Sequence, residues 1–130
     1  MEKIFSKEAY PLQNETYQII GVCMEVHRIL GRGFLEIVYK DALQYEFYTR
    51  KFIFQREREY EIEYKNIILH HKFFADFVVF GNIILEVKAQ RGIADDHYKL
   101  LLNYLAVSKC KVGLIVNFGE DSLKYKRVIL

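Results

Sequence analysis

The sequence predicts an α/β fold, a mixed β-sheet with antiparallel hairpins and helices packed on it. Three observations predict it. The N-terminal part carries apolar side chains at helical spacing, the pattern changes to period two near Phe54, and one more helical stretch separates the hairpins from two short C-terminal strands. The length of 130 residues fits a single domain over 1–130 with a substantial core, the stretch 1–13 being a loosely ordered N-terminal segment.

The elements follow in order. Ile19, Ile20, Cys23, Val26 and Leu30 recur at helical spacing, with Asn14 or Thr16 as the cap and Gly31 as the stop. A second helix is predicted over 34–50, with Leu35, Val38, Tyr39, Ala42, Leu43 and Phe47 as its apolar stripe. Strict alternation over 54–64 predicts one long strand, with Gln55, Glu57, Glu59, Glu61 and Glu63 on a solvated acidic face. Lys65-Asn66 reads as a turn and 67–72 as the returning strand. The stretch FFADFVVFGNIILEVKA then reads as two apolar strands around Gly81-Asn82. A third helix is predicted over 95–108, with Asp95 or Asp96 near its cap, followed by a buried strand over 112–117. The last strand, over 123–130, has a basic flank of Lys124, Lys126 and Arg127. The order is α-α-β-β-β-β-α-β-β.

Composition narrows the function classes. The sequence has no apolar run of the roughly 18 residues a membrane span needs, and MEKIFSKEAYPLQ lacks the apolar core of a signal peptide. Cys23 and Cys110 make neither a disulfide framework nor a metal cluster. The expectation is a cytoplasmic protein with no membrane partner; the oligomeric state stays open, a homodimer included. A net charge of +2 is near neutral, so a nucleic-acid partner has to be argued from local features.

The local feature is the charge set into the apolar hairpin. Asp76, Glu86 and Lys88 interrupt it, and burying a charge without a partner costs several kcal/mol. Glu86 and Lys88 point to one face and Val87 to the other. A two-residue Gly81-Asn82 turn would pair Asp76 with Val87, whereas a three-residue loop over 80–82, or a bulge, brings Asp76 opposite Glu86. The odd-length loop or the bulge is the expectation. Two facing carboxylates repel unless a cation lies between them, and hard oxygen donors suit Mg²⁺ or Mn²⁺. A lysine two residues on can stabilise the charge that develops when a phosphodiester is hydrolysed. The plain alternative is a Glu86–Lys88 salt bridge on a solvated face with Asp76 elsewhere.

The spacing D-x9-E-x-K across a hairpin resembles the PD-(D/E)xK nuclease superfamily, with Ala75 where that signature has proline. Gly33-Phe34-Leu35-Glu36-Ile37-Val38-Tyr39 reads G-x-x-E-x-x-Y and, together with ILEVKA, LLNYL and KVGLIVNFG, is similar to the GxxExxY protein family, a branch of that superfamily. The resemblance covers the chain from about Thr16 to its end. It implies a restriction-endonuclease-like three-layer core and a metal-dependent nuclease acting on nucleic acid, DNA foremost. By the same resemblance Glu36, Asp76, Glu86 and the carbonyl of Val87 are the metal ligands and Lys88 is the signature lysine. Tyr104 matches the tyrosine of a Q-x-x-x-Y pattern in which Leu100 stands at the glutamine position. The alternative, of another class, is a catalytically impaired module that keeps the fold and binds nucleic acid or a protein.

Other candidates carry less. Gly31-x-Gly33 follows a helix and lacks a third glycine, so it is a turn rather than a dinucleotide loop. His27 reads as a packed helix residue with a local hydrogen bond, and the adjacent His70 and His71 as structural or exposed. Glu36 also suits a helix first turn, where the dipole favours an acid. Lys65, Lys72, Arg91, Lys99, Lys109 and Lys111 are candidates to line a groove beside the site.

Overall fold

The computed structural model describes residues 11–130; the expectation for the N-terminal segment falls mostly on 1–10, outside the described residues. The elements are α1 (Gln13–Leu30), α2 (Glu36–Thr49), β1 (Phe54–Tyr60), β2 (Glu63–Tyr64), β3 (Ile67–Ile68), β4 (Phe73–Val79), β5 (Ile83–Lys88), α3 (Asp95–Ser108), β6 (Val112–Asn117) and β7 (Lys124–Ile129). The order differs from the predicted one by one strand: five strands, not four, lie between α2 and α3, because the stretch predicted as one strand over 54–64 is divided into β1 and β2. The main sheet runs β1-β4-β5-β6-β7, and β2-β3 form a small separate ribbon. Only β5 and β6 are parallel, as their connection through α3 requires; the other neighbours are antiparallel.

Helices α1 and α2 cover one face. Ile19, Val22, Cys23 and Val26 of α1 and Tyr39, Leu43 and Phe47 of α2 pack with Phe77, Val79, Leu85, Val87 and Leu114. Helix α3 covers the other, where Leu101 and Leu105 meet Phe73, Ala75, Val78, Ile84 and Ile115. The central strands β5 and β6 are therefore apolar almost throughout. The result is an α/β/α sandwich.

Several local expectations are corrected. Neither Asn14 nor Thr16 caps α1: the cap position is Leu12, without a side-chain bond, and the Thr16 hydroxyl donates to the Gln13 carbonyl at 3.0 Å. Helix α2 starts at Glu36, not Phe34, because Leu35 is extended at its cap; Leu35 is 76% exposed and is no part of the buried stripe. In α3, by contrast, Asp95 and Asp96 do lie next to the cap, in the first turn; the cap itself is Ala94, whose N–H donates to His97 Nδ1 at 3.1 Å. The strand predicted over 54–64 stops at Tyr60, and of the strand over 67–72 only Ile67–Ile68 pairs.

The alternation also reverses inside the sheet. Phe77 and Val79 face the α1–α2 core, whereas Phe73 and Ala75, two and four residues earlier, face the α3 core. On β1, Arg56 packs over Phe77, while Arg58 packs over Tyr60 on the α3 side. The switch falls at Glu57 and Asp76, which the flanking pairs Arg56↔Phe77 and Arg58↔Ala75 leave opposite each other. Glu57 takes a left-handed φ of 54°, rare for a residue other than glycine, and the pairing register is the same on both sides of it, so the faces switch without an inserted residue. Period-two counting assumes an unbroken pleat, so it missed the change of faces at Glu57; the residue is exposed, as expected, but its carboxylate reaches Lys40.

Candidate metal and phosphodiester site

The hairpin loop has three residues, Phe80 to Asn82. Val79 pairs with Ile83, Val78 with Ile84 and Phe77 with Leu85. Phe80 and Gly81 both take positive φ, 57° and 76°, which lets so short a loop close. The next step of that register sets Asp76 opposite Glu86. There the main-chain ladder ends and the carboxylates replace it: the Asp76 N–H donates to Glu86 Oε2 at 2.9 Å, and the Val87 N–H to Asp76 Oδ2 at 2.8 Å.

Around this pair the elements converge. From α2, Lys40 extends its ammonium to Asp76 Oδ1 at 3.0 Å and to Glu57 Oε2 at 2.5 Å. Glu36, at the start of the same helix and one turn before Lys40, feels the charges of Lys88, Asp76, Lys40 and Glu57. From the opposite side, a recess is lined by Glu86 and Lys88 of β5 together with His97, Leu100 and Tyr104 of α3. Tyr104 is stacked on Phe73 with ring centroids 4.0 Å apart. Glu36, Asp76, Glu86, Val87 and Lys88 are thus in one neighbourhood, with Tyr104 at its α3 edge. Val87 enters through its N–H. Leu100 lines this recess beside Lys88.

The electrostatics describe a carboxylate pair short of positive charge. Glu86 is pushed up to about 8, first by burial and then by the Asp76 charge, against the smaller opposing pull of its hydrogen bond, Lys88 and Lys40. Glu36 is raised by burial, with Lys88 pulling the other way. Burial alone would lower Lys40, but its hydrogen bonds with Glu57 and Asp76 raise it. The oxygen donors fit a hard divalent cation in kind. Among the described residues, however, no three acidic, histidine or cysteine side chains are drawn together closely enough to hold an ion as they stand. Both Asp76 oxygens and one Glu86 oxygen are engaged by Lys40 and by backbone N–H groups.

The turn before α2 is fixed by Tyr39. Its hydroxyl donates to the Gly31 carbonyl at 2.6 Å and accepts from the Phe34 N–H at 3.3 Å, and its ring stacks on Phe118. G-x-x-E-x-x-Y therefore has a local logic: the tyrosine ties down the loop from which Glu36 enters the helix. His27 is buried beside it, but its hydrogen bond is long-range rather than local: Nε2 lies 2.8 Å from the Glu120 carbonyl, and the ring stacks on Phe118. His70 and His71 are exposed, as read from the sequence.

Two residues of this cluster were missed in the sequence. Lys40 carried a usable signal, since it lies four positions after Glu36 and so on the same helix face. Glu57 carried none, because nothing local marks a glutamate for left-handed backbone. The six basic residues proposed for one groove are dispersed. Lys72 pairs with Glu59 and Glu61, Lys65 lies over the Tyr64 ring, Arg91 lines a recess with Arg32 and Lys124, Lys99 is exposed on α3, and Lys109 and Lys111 line another recess with Leu105 and Ile129.

Comparison with known proteins agrees with the fold. The sequence pattern described as the PD-(D/E)XK nuclease superfamily matches residues 13–128. No curated protein matches the sequence. Among solved structures, the crystal structure of SSO0001 is similar, with a TM-score of 0.57 at 19% identity, over 71% of this chain and 48% of that one. This chain thus spans about half the length of that protein, and at such identity the likeness is one of fold. Among the described residues no helix is long and apolar enough to cross a membrane.

Proposed function

The chain belongs to the PD-(D/E)XK nuclease superfamily, and from that premise we propose that it is a metal-dependent nuclease of the GxxExxY branch, hydrolysing phosphodiester bonds in nucleic acid, DNA foremost. The observation that carries the reading is the facing pair Asp76 and Glu86, joined through backbone N–H groups at the point where β4 and β5 stop pairing. Asp76, Glu86 and Glu36, with the Val87 carbonyl, would hold Mg²⁺ or Mn²⁺. When bound, the ion would polarise the phosphate and neutralise its charge. Lys88, two residues beyond Glu86 on the same strand face, supplies positive charge to a phosphate oxygen as negative charge builds there. Tyr104 presents a hydroxyl at the α3 edge to orient the lysine or the nucleic-acid backbone.

A second reading has one observation behind it. Leu100, 44% exposed, puts an apolar side chain into the recess of Glu86 and Lys88. A module that binds nucleic acid or protein without turnover would tolerate that.

The test is cleavage of labelled single-stranded, duplex and branched DNA with Mn²⁺ or Mg²⁺, for wild type, Asp76→Asn and Lys88→Met. Wild type is expected to cut at least one substrate. Both variants should lose about 100-fold or more, the scale of losing one preorganised charge-stabilising group, and Lys88→Met should still bind Mn²⁺ in calorimetry. Intact substrates with every protein, while wild type binds DNA, would favour the module.

A further inference from the structure

Lys40 is the buried cation of the site. Its side chain is 11% exposed and that of Asp76 13%, so neither charge is solvated as in water. An ammonium in such a place needs carboxylate partners, and it has two, Asp76 at 3.0 Å and Glu57 at 2.5 Å. The proposed function sets a second demand on one of them. Asp76 Oδ1 cannot serve Lys40 and a divalent ion fully at once, since the two cations compete for the same lone pairs. Glu57 is under no such demand, being outside the proposed ligand set.

The sheet is built to supply this second partner. Glu57 lies directly across from Asp76 in the β1–β4 register. The left-handed residue there coincides with the switch of faces between Arg56 and Arg58, and its carboxylate reaches the side from which α2 delivers Lys40. A non-glycine residue stays in that conformation only where its surroundings impose it. The ion pair with Lys40 is the contact at Glu57 that gives such a constraint a use.

We propose that Lys40 is the site's resident counter-cation and Glu57 its second anchor: Lys40 neutralises Asp76 until a divalent ion takes that carboxylate, and Glu57 then retains the ammonium. Lys40 and Glu57 are positioning residues. They act on the metal through Asp76 and touch no substrate. The inference rests on the metal-dependent reading above.

Calorimetric titration with Mn²⁺ tests it, on wild type, Lys40→Met, Glu57→Gln and the double variant. Lys40→Met removes the competitor, so Mn²⁺ should bind roughly tenfold tighter, the equivalent of about 1.4 kcal/mol. Glu57→Gln leaves Lys40 with Asp76 alone, so Mn²⁺ should bind several-fold more weakly. In the Lys40→Met background the Glu57→Gln change should shift the affinity less than about twofold, because Glu57 acts through the lysine. A general structural role would weaken binding in both single variants, and a through-space charge effect would make Glu57→Gln cost the same in both backgrounds; either result overturns the inference. So does wild-type binding that Lys40→Met leaves equal or weaker. Where Lys40→Met does not fold, Glu57→Gln decides alone, and unchanged or tighter binding overturns the inference. Absence of Mn²⁺ binding in folded wild type and folded Lys40→Met overturns the metal reading itself, and this inference with it.

Discussion

Asp76 donates its backbone N–H to the carboxylate of Glu86, and one Asp76 oxygen accepts in turn from the N–H of Val87, the residue after Glu86. Two side chains thereby close the gap where the main-chain ladder between their strands ends. Both are acids, so the Asp76 charge adds to the cost of ionising Glu86, which Lys88 and Lys40 offset only in part.

Glu86 sets a pH dependence. Its carboxyl is raised from the ordinary 4.5 to about 8, by burial first and by Asp76 second. Between those values the folded chain holds a proton that the unfolded chain has released. The contribution of Glu86 to stability is therefore fully present below about 4.5 and is lost as pH rises towards 8. In metal-free buffer the melting temperature should drop by several degrees between about pH 5 and 8, and Glu86→Gln should remove most of that slope. A flat wild-type profile would contradict the assignment.

Leu100→Gln should restore a polar group beside Lys88 and Glu86. Leu100 is partly solvated, so stability should stay within about 0.5 kcal/mol of wild type in urea titration. The cleavage rate should rise several-fold under identical metal conditions. An unchanged or lower rate would show that the position has no part in turnover.

Tyr39→Phe keeps the ring stacked on Phe118 and removes the hydroxyl that joins Gly31 and Phe34. The Gly31 carbonyl then loses a short hydrogen bond at a half-buried position beside the fully buried Tyr39 ring. A cost of about 1–3 kcal/mol is expected from denaturant titration. A change below about 0.5 kcal/mol would mean that the loop before Glu36 is held by other contacts.

Gly119 packs against the loop that follows β5. A Cβ there would lie 2.3 Å from the backbone N and O of Gln90. Asn117 ties the same two loops, donating to the Gln90 carbonyl at 2.8 Å and accepting from the N–H groups of Gln90 and Gly119. Backbone has no rotamer with which to yield, so Gly119→Ala should cost about 1–3 kcal/mol. Thermal unfolding of the variant checks this, and wild-type stability would disprove the close approach.

Much of this molecule is legible in its sequence. Periodicity alone defined α3 and β6 to the residue, because each has an apolar face or an apolar run bounded by clear breaks. The demand that Asp76 face Glu86 selected the three-residue loop over the two-residue turn that Gly81-Asn82 suggests. The G-x-x-E-x-x-Y run marked Glu36 and Tyr39 as a unit. Tertiary structure decided the rest. The strand after α2 ends at Tyr60 and reverses its faces at Glu57, since a left-handed residue breaks the period-two rule on which strand reading depends. Helix α2 docks so that Lys40, solvated on any isolated helix, is buried between Asp76 and Glu57. Residue order along the chain determined which charges enter the apolar hairpin, but only the packing of α2 across two strands decided which cation meets them, because an ion pair depends on distance in space rather than separation in sequence.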